Sequence, residues 1–198
     1  MVIRKLFRVE SSHIVRNCTS ERCSHSIHGH SAVIEVFLES HSLDNAQMVY
    51  DFGLMKGTVK QFIDSMDHCY LLCSQDKPEF RQFIKRECDR WIELPFNPSA
   101  EMLSMYLLKN IQYILDHTQK SNGEAIDLKV TAVRYHETTT GWAMADQRDL
   151  TQLYLPMTEG KEVVYSRGVV KDWGEDLRTI MFEDSVVVNP VIKQQIQL

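Results

Sequence analysis

The sequence predicts an α+β protein built on an antiparallel sheet. Three observations predict it. Segments 3–13 and 28–39 alternate apolar and polar side chains, the stretch from 51 to 114 carries apolar residues at helical spacing, and alternation returns at 125–137.

The first strand, 3–13, places Phe7, Val9, Ser11 and His13 on one parity. The polar stretch 14–27 reads as a loop. In the second strand, 28–39, the even positions His28, His30, Ala32, Ile34, Val36 and Leu38 share a face that is apolar from Ala32 onward. Gly29 leaves the opposite face empty, which often marks close approach of another backbone or a ligand. After a turn at 40–47, Asp51 reads as the N-cap of a helix bearing Phe52, Met55, Val59, Phe62, Ile63 and Met66, ending near Asp67-His68. A second helical pattern runs from Pro78 to Trp91 through Phe80, Phe83 and Ile84. Asn97-Pro98 opens a third helix, with Pro at its first position and a stripe of Leu103, Leu107, Ile111 and Ile114. SNGE at 121–124 breaks it. Residues 125–137 then read as a strand with Ile126, Leu128, Val130 and Ala132 inward, and a short strand follows Gly141. The boundaries expected are a domain over 1–144 and a C-terminal extension over 145–198, marked by short β-branched runs between charged turns.

The 198 residues carry a net charge of −5, with 43% apolar and 25% charged residues, the composition of a globular protein. The acidic balance argues against a nucleic-acid binder. No apolar run approaches the ~20 residues of a membrane span, and the start MVIRKLFRVESSH lacks the apolar core of a signal peptide. The expectation is a cytoplasmic protein without nucleic-acid or membrane partners. Its five cysteines, an odd number, point to reduced thiols rather than a disulfide framework.

Chemistry concentrates in SHSIHGHS. His28 and His30 point the same way from one strand, and antiparallel pairing would bring His13 to the same end of the sheet. Three neutral imidazoles suit a catalytic zinc, which takes three protein ligands and keeps a fourth position open. A lone strand histidine is more often an ordinary polar residue; the pairing with His13 raises the metal reading. Cys23 precedes this strand, and a thiol near a metal or histidine can act as a base. Asp67 beside His68 can orient an imidazole, or can simply cap a helix. Glu101 falls in the first turn of a helix, where the dipole favours an anion. Glu137 opposes the parity of Ile126 to Ala132, so it either faces another subunit or is re-aimed by a β-bulge.

In order, FRVESSH (7–13), Cys23 with HGH (28–30), MVYDFG (48–53), MDH (66–68), NPSAE (97–101) and HET (136–138) resemble the 6-pyruvoyl-tetrahydropterin synthase family, within it the bacterial 6-carboxytetrahydropterin synthase branch of queuosine precursor synthesis. The resemblance spans about residues 3–143. It implies a T-fold, an antiparallel sheet with two helices on one face, assembled as a homo-oligomer, commonly a dimer of trimers. It implies Zn2+ on His13, His28 and His30, catalysis by Cys23, Asp67 and His68, and pterin anchoring by Glu101 and Glu137. The implied substrate is 7,8-dihydroneopterin triphosphate, the products 6-carboxytetrahydropterin, acetaldehyde and triphosphate. Four residues separate Cys23 from HGH, a gap that varies in the family, so Cys18 and Glu21 stay open as alternative bases. Arg16 and Arg22 are candidate cations for the triphosphate. A pyruvoyl-type synthase that stops before side-chain cleavage, and a non-catalytic zinc-binding assembly protein, remain the alternatives. A Cys/His zinc module using Cys18 and Cys23 is disfavoured by the acidic charge.

Overall fold

The computed structural model describes residues 1–123, 127–152 and 162–189. Strand β1 (Val2–His13) pairs antiparallel with β2 (His28–Glu39) through twelve residue pairs, from Val2 opposite Glu39 to His13 opposite His28. The alternation read from sequence holds: Phe7, Val9 and His13 are buried on one face of β1, and Ala32, Ile34, Val36 and Leu38 on the same face of β2. The segment between them is not all loop, because Glu21–His25 forms a short helix, α1.

The expected helix from Asp51 is split. Asp51 Oδ1 accepts from the Gly53 N–H at 2.6 Å and closes a turn, Leu54–Lys56 forms a single 3₁₀ turn, and helix α2 (Thr58–Asp64) starts only after Gly57. The helix therefore ends three residues before Asp67, and Asp67-His68 lies in the turn that enters β3 (Cys69–Cys73). That strand is a fully buried run, CYLLC, which the sequence reading passed over. Helix α3 (Pro78–Glu87) stops short of Trp91, which instead opens β4 (Trp91–Leu94). Trp91 lies seven residues after Ile84, a helical spacing, but Cys88 is already extended and ends the helix.

Helix α4 (Ala100–Asp116) begins after Ser99, whose hydroxyl accepts from the Met102 N–H, so Pro98 lies outside the helix rather than at its first position. Its stripe of Leu103, Leu107, Ile111 and Ile114 is wholly buried against the sheet. Each such side chain contributes about 1.5–3 kcal/mol relative to exposure. A two-residue strand, β5 (Thr118–Gln119), follows, then β6 (Lys129–His136) and β7 (Trp142–Asp146). Ile126, expected to face inward, lies outside the described residues.

The order in the main sheet is β7-β6-β2-β1-β3-β4-β8, where β8 is Val164–Tyr165. The sheet is mostly antiparallel, but β3 runs parallel to both β1 and β4. Helices α2 and α4 pack on one face. The second face of β3 is covered locally by α3, through Tyr70, Leu72, Ile84 and Phe80.

Pairing of β2 with β6 shifts between Phe37 and Leu38: Phe37 opposes Ala132 and Leu38 opposes Val130, leaving Thr131 as an extra residue. Val130 faces the core before this bulge, and Val133 and Tyr135 face it afterwards. Ala132 is therefore only half-buried, not inward as expected. Backbone groups at the bulge find side-chain partners: Gln112 accepts from Val130 N–H at 2.7 Å, and Gln147 donates to Val130 carbonyl at 2.8 Å.

After β7 come helices α5 (Gln147–Gln152), α6 (Arg167–Val170) and α7 (Glu175–Glu183), and a short strand β9 (Val187–Val188) parallel to β5. Val169, Trp173, Leu177 and Ile180 are buried in the same core cluster as α2, α4 and the sheet. Replacing Trp173 by Ala is expected to destabilise the whole chain by roughly 3–5 kcal/mol. In urea melts this lowers a single, shared midpoint followed by far-UV circular dichroism and by tyrosine fluorescence. An unchanged midpoint would place 164–183 outside the cooperative unit.

Candidate metal and acid–base site

The paired ends of β1 and β2 bring three imidazoles together. Ring centroids lie 4.6 Å apart for His13 and His28, and 5.1 Å from each of these to His30. One ring nitrogen from each falls within 4.8 Å of the others, the spacing of a shared ion. Two backbone carbonyls orient the rings. His13 Nδ1 donates to Pro98 O at 2.8 Å and His28 Nδ1 to Ser26 O at 3.0 Å. A carbonyl can only accept, so each Nδ1 carries a proton, and in the neutral ring this leaves the lone pair on Nε2. His13 Nε2 and His30 Nε2 are buried with no hydrogen-bond partner among the described residues. Burial, the main cause, and the neighbouring imidazoles lower the His13 pKa to about 4, against the Pro98 hydrogen bond, so its ring is neutral at pH 7. Three converging ring nitrogens, two of them buried and unpartnered, fit a divalent metal.

The NPSAE segment builds the support. Asn97 accepts from Arg16 N–H at 2.9 Å and donates to Arg16 O at 2.6 Å, Pro98 offers its carbonyl to His13, and Ser99 caps α4. Gly29 is demanded by packing: a Cβ there would stand 2.9 Å from the Ser11 carbonyl oxygen of the paired strand.

Glu137 reaches this cluster within the same chain. Its Oε1 lies 3.4 Å from His13 Nε2 and 3.6 Å from His30 Nε2. The Thr131 bulge accounts for this, because it puts Glu137 on the parity of Val133 and Tyr135. Of the two readings left open by the sequence, the structure realises the bulge.

Asp67 and His68 form a second constellation. Asp67 Oδ2 meets His68 Nδ1 at 2.9 Å, and Asp67 Oδ1 accepts from Glu10 N–H at 2.7 Å. Burial raises the Asp67 pKa, but Glu10 N–H, the His68 ring and the Arg90 charge outweigh it and hold the carboxyl below its ordinary range. His68 and His30 line one open hollow of about 320 Å³ together with Glu10, Gly29 and Ser31.

The other expected residues stand apart. Cys23 is half-buried on α1, its carbonyl accepting from Val15 N–H at 2.9 Å. Glu101 is exposed in the first turn of α4. Among the described residues, no hydrogen bond or ion pair joins Cys23, Asp67, His68 or Glu101 to the histidines, and no cysteine belongs to the metal-spaced group. Cys18 and Glu21 are likewise outside it. Arg16, a candidate for the triphosphate, is engaged by Asp76 at 2.6 Å and by the Ser24 carbonyl at 3.0 Å, whereas Arg22 is exposed on α1. Cys69 is inert by burial, which pushes its thiol up to about 12.

Sequence reasoning missed Glu35. It is buried on the strand face opposite the helices, where His136 Nε2 meets it at 3.0 Å and Arg4 and Arg134 at 3.3 and 3.6 Å. A glutamate in mid-strand, on the parity away from the core, gave no sign of burial.

The chain matches the model of a family described as 6-pyruvoyl tetrahydropterin synthase over residues 2–148. A relative from Helicobacter pylori J99, named 6-carboxy-5,6,7,8-tetrahydropterin synthase, is 41% identical over 174 residues, 87% of this chain and 86% of its own. One of the same name from Aquifex aeolicus is 29% identical over 157 residues, 71% of this chain and 94% of its own. Two solved structures share the fold. An uncharacterised protein from Wolinella succinogenes has a TM-score of 0.60 at 21% identity, covering 74% of this chain and 98% of that one. The 6-pyruvoyl tetrahydropterin synthase of Caenorhabditis elegans has a TM-score of 0.50 at 17% identity, covering 74% and 94%. Taken with the histidine cluster at the strand ends, the match across most of its length makes this chain a member of the 6-pyruvoyl tetrahydropterin synthase family, with its T-fold.

Proposed function

We propose that the protein is a zinc-dependent lyase that converts 7,8-dihydroneopterin triphosphate to 6-carboxy-5,6,7,8-tetrahydropterin. The observation that carries the reading is the group of three converging histidines, two of which, His13 and His30, have buried, unpartnered Nε2 atoms, in a chain 41% identical to a relative named for that product. His13, His28 and His30 would hold the zinc. When bound, zinc supplies Lewis acidity toward side-chain oxygens of the substrate.

The remaining work falls to this chain's own groups. Cys23 removes a proton from the side-chain carbon, as thiolate, and His68 moves protons on the opposite side with its ring held by Asp67. Glu137 and Glu101 accept hydrogen bonds from the amino group and ring N–H of the pterin, a charge-assisted bidentate grip. Triphosphate leaves, and oxidation of the side-chain carbinols supplies the hydrogens that reduce the ring. Water adds to the carbon next to the ring as the carbon–carbon bond beyond it breaks, so that one carbon is kept as carboxyl and two depart as acetaldehyde. The product would serve as a precursor of queuosine.

A homo-oligomer, a dimer of trimers, completes the proposal. Among the described residues no hydrogen bond or ion pair joins Cys23 or Glu101 to the histidines of their own chain, and Val2, Leu6, Trp142 and Met144 are exposed on the sheet face away from the helices. No helix among the described residues is long and apolar enough to cross a membrane, and five free cysteines support a reducing, cytoplasmic setting.

The test is anaerobic incubation of zinc-loaded protein with 7,8-dihydroneopterin triphosphate, with products identified by mass spectrometry and acetaldehyde trapped. 6-Carboxytetrahydropterin with acetaldehyde is expected; a pyruvoyl product without acetaldehyde would place the chain with the pyruvoyl-type synthases. Cys23→Ala should keep its zinc and lose about 10²- to 10⁴-fold in turnover, the span typical of a positioned acid or base. Full activity in that variant would exclude Cys23 as the base. Gly29→Ala, which leaves every proposed ligand in place but crowds the Ser11 carbonyl, should weaken zinc binding by roughly 10- to 100-fold in chelator competition. Unchanged affinity would show that the β1–β2 spacing does not set the site.

A further inference from the structure

We propose that residues 164–183 brace the Asp67-His68 turn through Arg90, which makes Arg90 a positioning residue. The inference rests on the reading of Asp67 and His68 as the proton-handling pair.

The Arg90 guanidinium joins three separate segments. Nε donates to Asp67 O at 2.9 Å, Nη2 to Asp64 O at 3.0 Å, and Nη1 to Gly168 O at 2.7 Å while also pairing with the Asp172 carboxylate. One planar fork thus fixes the end of α2, the turn before β3 and the short helix α6 relative to one another. A lysine, a single point of donation on a flexible stem, cannot reproduce that.

The turn needs such holding. His68 has a φ of 51°, in the left-handed region that is sterically costly for any residue but glycine. Conformations of that kind persist where the surroundings over-determine them. Glu10 supplies part of the restraint, accepting from His68 N–H at 2.6 Å and donating to Asp67 at 2.7 Å. Arg90 supplies the restraint on the other side, and it is itself held by the tail.

The tail reaches the same region at two more points. The buried Trp173 donates its indole N–H to Ser65 Oγ at 2.7 Å, and Gly174 N–H donates to Gln61 Oε1 at 2.8 Å. Packing fixes the register of α6, because a Cβ on Gly168 would stand 2.3 Å from the Asp89 carbonyl oxygen. Val169, Asp172 and Trp173 also wall a cavity of about 460 Å³ that Asp67 and His68 line from the other side.

Arg90→Ala, Arg90→Lys and Asp172→Asn in the full, zinc-loaded chain test this by kinetics, metal content and amide hydrogen exchange. In Arg90→Ala, kcat should fall roughly 10- to 100-fold, the scale on which small misplacements act, with KM within about twofold and zinc at wild-type stoichiometry. Arg90→Lys should recover part of the loss. Asp172→Asn, at a largely exposed carboxylate and so safe for folding, should give a smaller fall in kcat. The His68 amide should exchange faster in all three. Faster exchange with unchanged kcat, or unchanged exchange throughout, would overturn the proposal. A wild-type chain without turnover would instead remove the catalytic reading of Asp67 and His68, and with it the purpose assigned to the brace, even where exchange still follows the arginine.

Discussion

The twelve-pair register between β1 and β2 is the constraint on which the rest depends. Side chains alternate with a period of two, so a slip of one residue would turn Phe7, Val9 and His13 to the opposite face and pull His13 away from His28. The apolar residues that prevent the slip are those that bury the core. Burial of Ala32, Ile34, Val36 and Leu38 sets the direction in which His28 and His30 point. Core packing and metal geometry are therefore specified by the same alternation, and neither changes without the other.

What lies around that register is a set of backbone groups put to local use. The carbonyls of Pro98 and Ser26 hold imidazoles, and the amide of Glu10 holds Asp67. Regular elements place each of them: Ser26 follows α1, Pro98 precedes the Ser99 cap of α4, and Glu10 lies within β1. The second face of the sheet follows different rules, with Glu35 gathering Arg4, Arg134 and His136, and Arg134 stacked 4.3 Å from the centre of the Trp142 ring. A buried carboxylate with three cationic or polar neighbours is satisfied, whereas removal of one partner leaves a charge that low dielectric penalises.

Much of this was legible in the sequence, for a physical reason. The apolar parity of Phe7 and Val9 in 3–13 and of Ala32 to Leu38 in 28–39 fixes which face turns to the core, and His13 opposite His28 followed from pairing alone. The helical stripe of α4 was equally plain. Parity also flagged Glu137 as anomalous, and the anomaly is real: one extra residue at Thr131 re-aims it. A bulge leaves no composition signal of its own, so parity alone allowed two solutions with no means to choose. Short parallel strands escaped because five buried residues in CYLLC have no period, and Trp91 fell by coincidence on the spacing of α3. The role of Arg90 was invisible, since its partners lie up to 82 residues away.

The burial of Val169, Trp173, Leu177 and Ile180 beside α2 and α4 has a consequence for synthesis. A chain emerges from the ribosome N-terminus first, and six of the seven strands of the main sheet, with the histidine pairing, lie at or before Asp146. The apolar surface that α7 covers nevertheless stays open until Ile180 has left the exit tunnel. A nascent chain thus passes through a stage in which the metal-binding strands exist but one flank of the core faces water. The time that α7 takes to emerge sets how long that flank stays exposed.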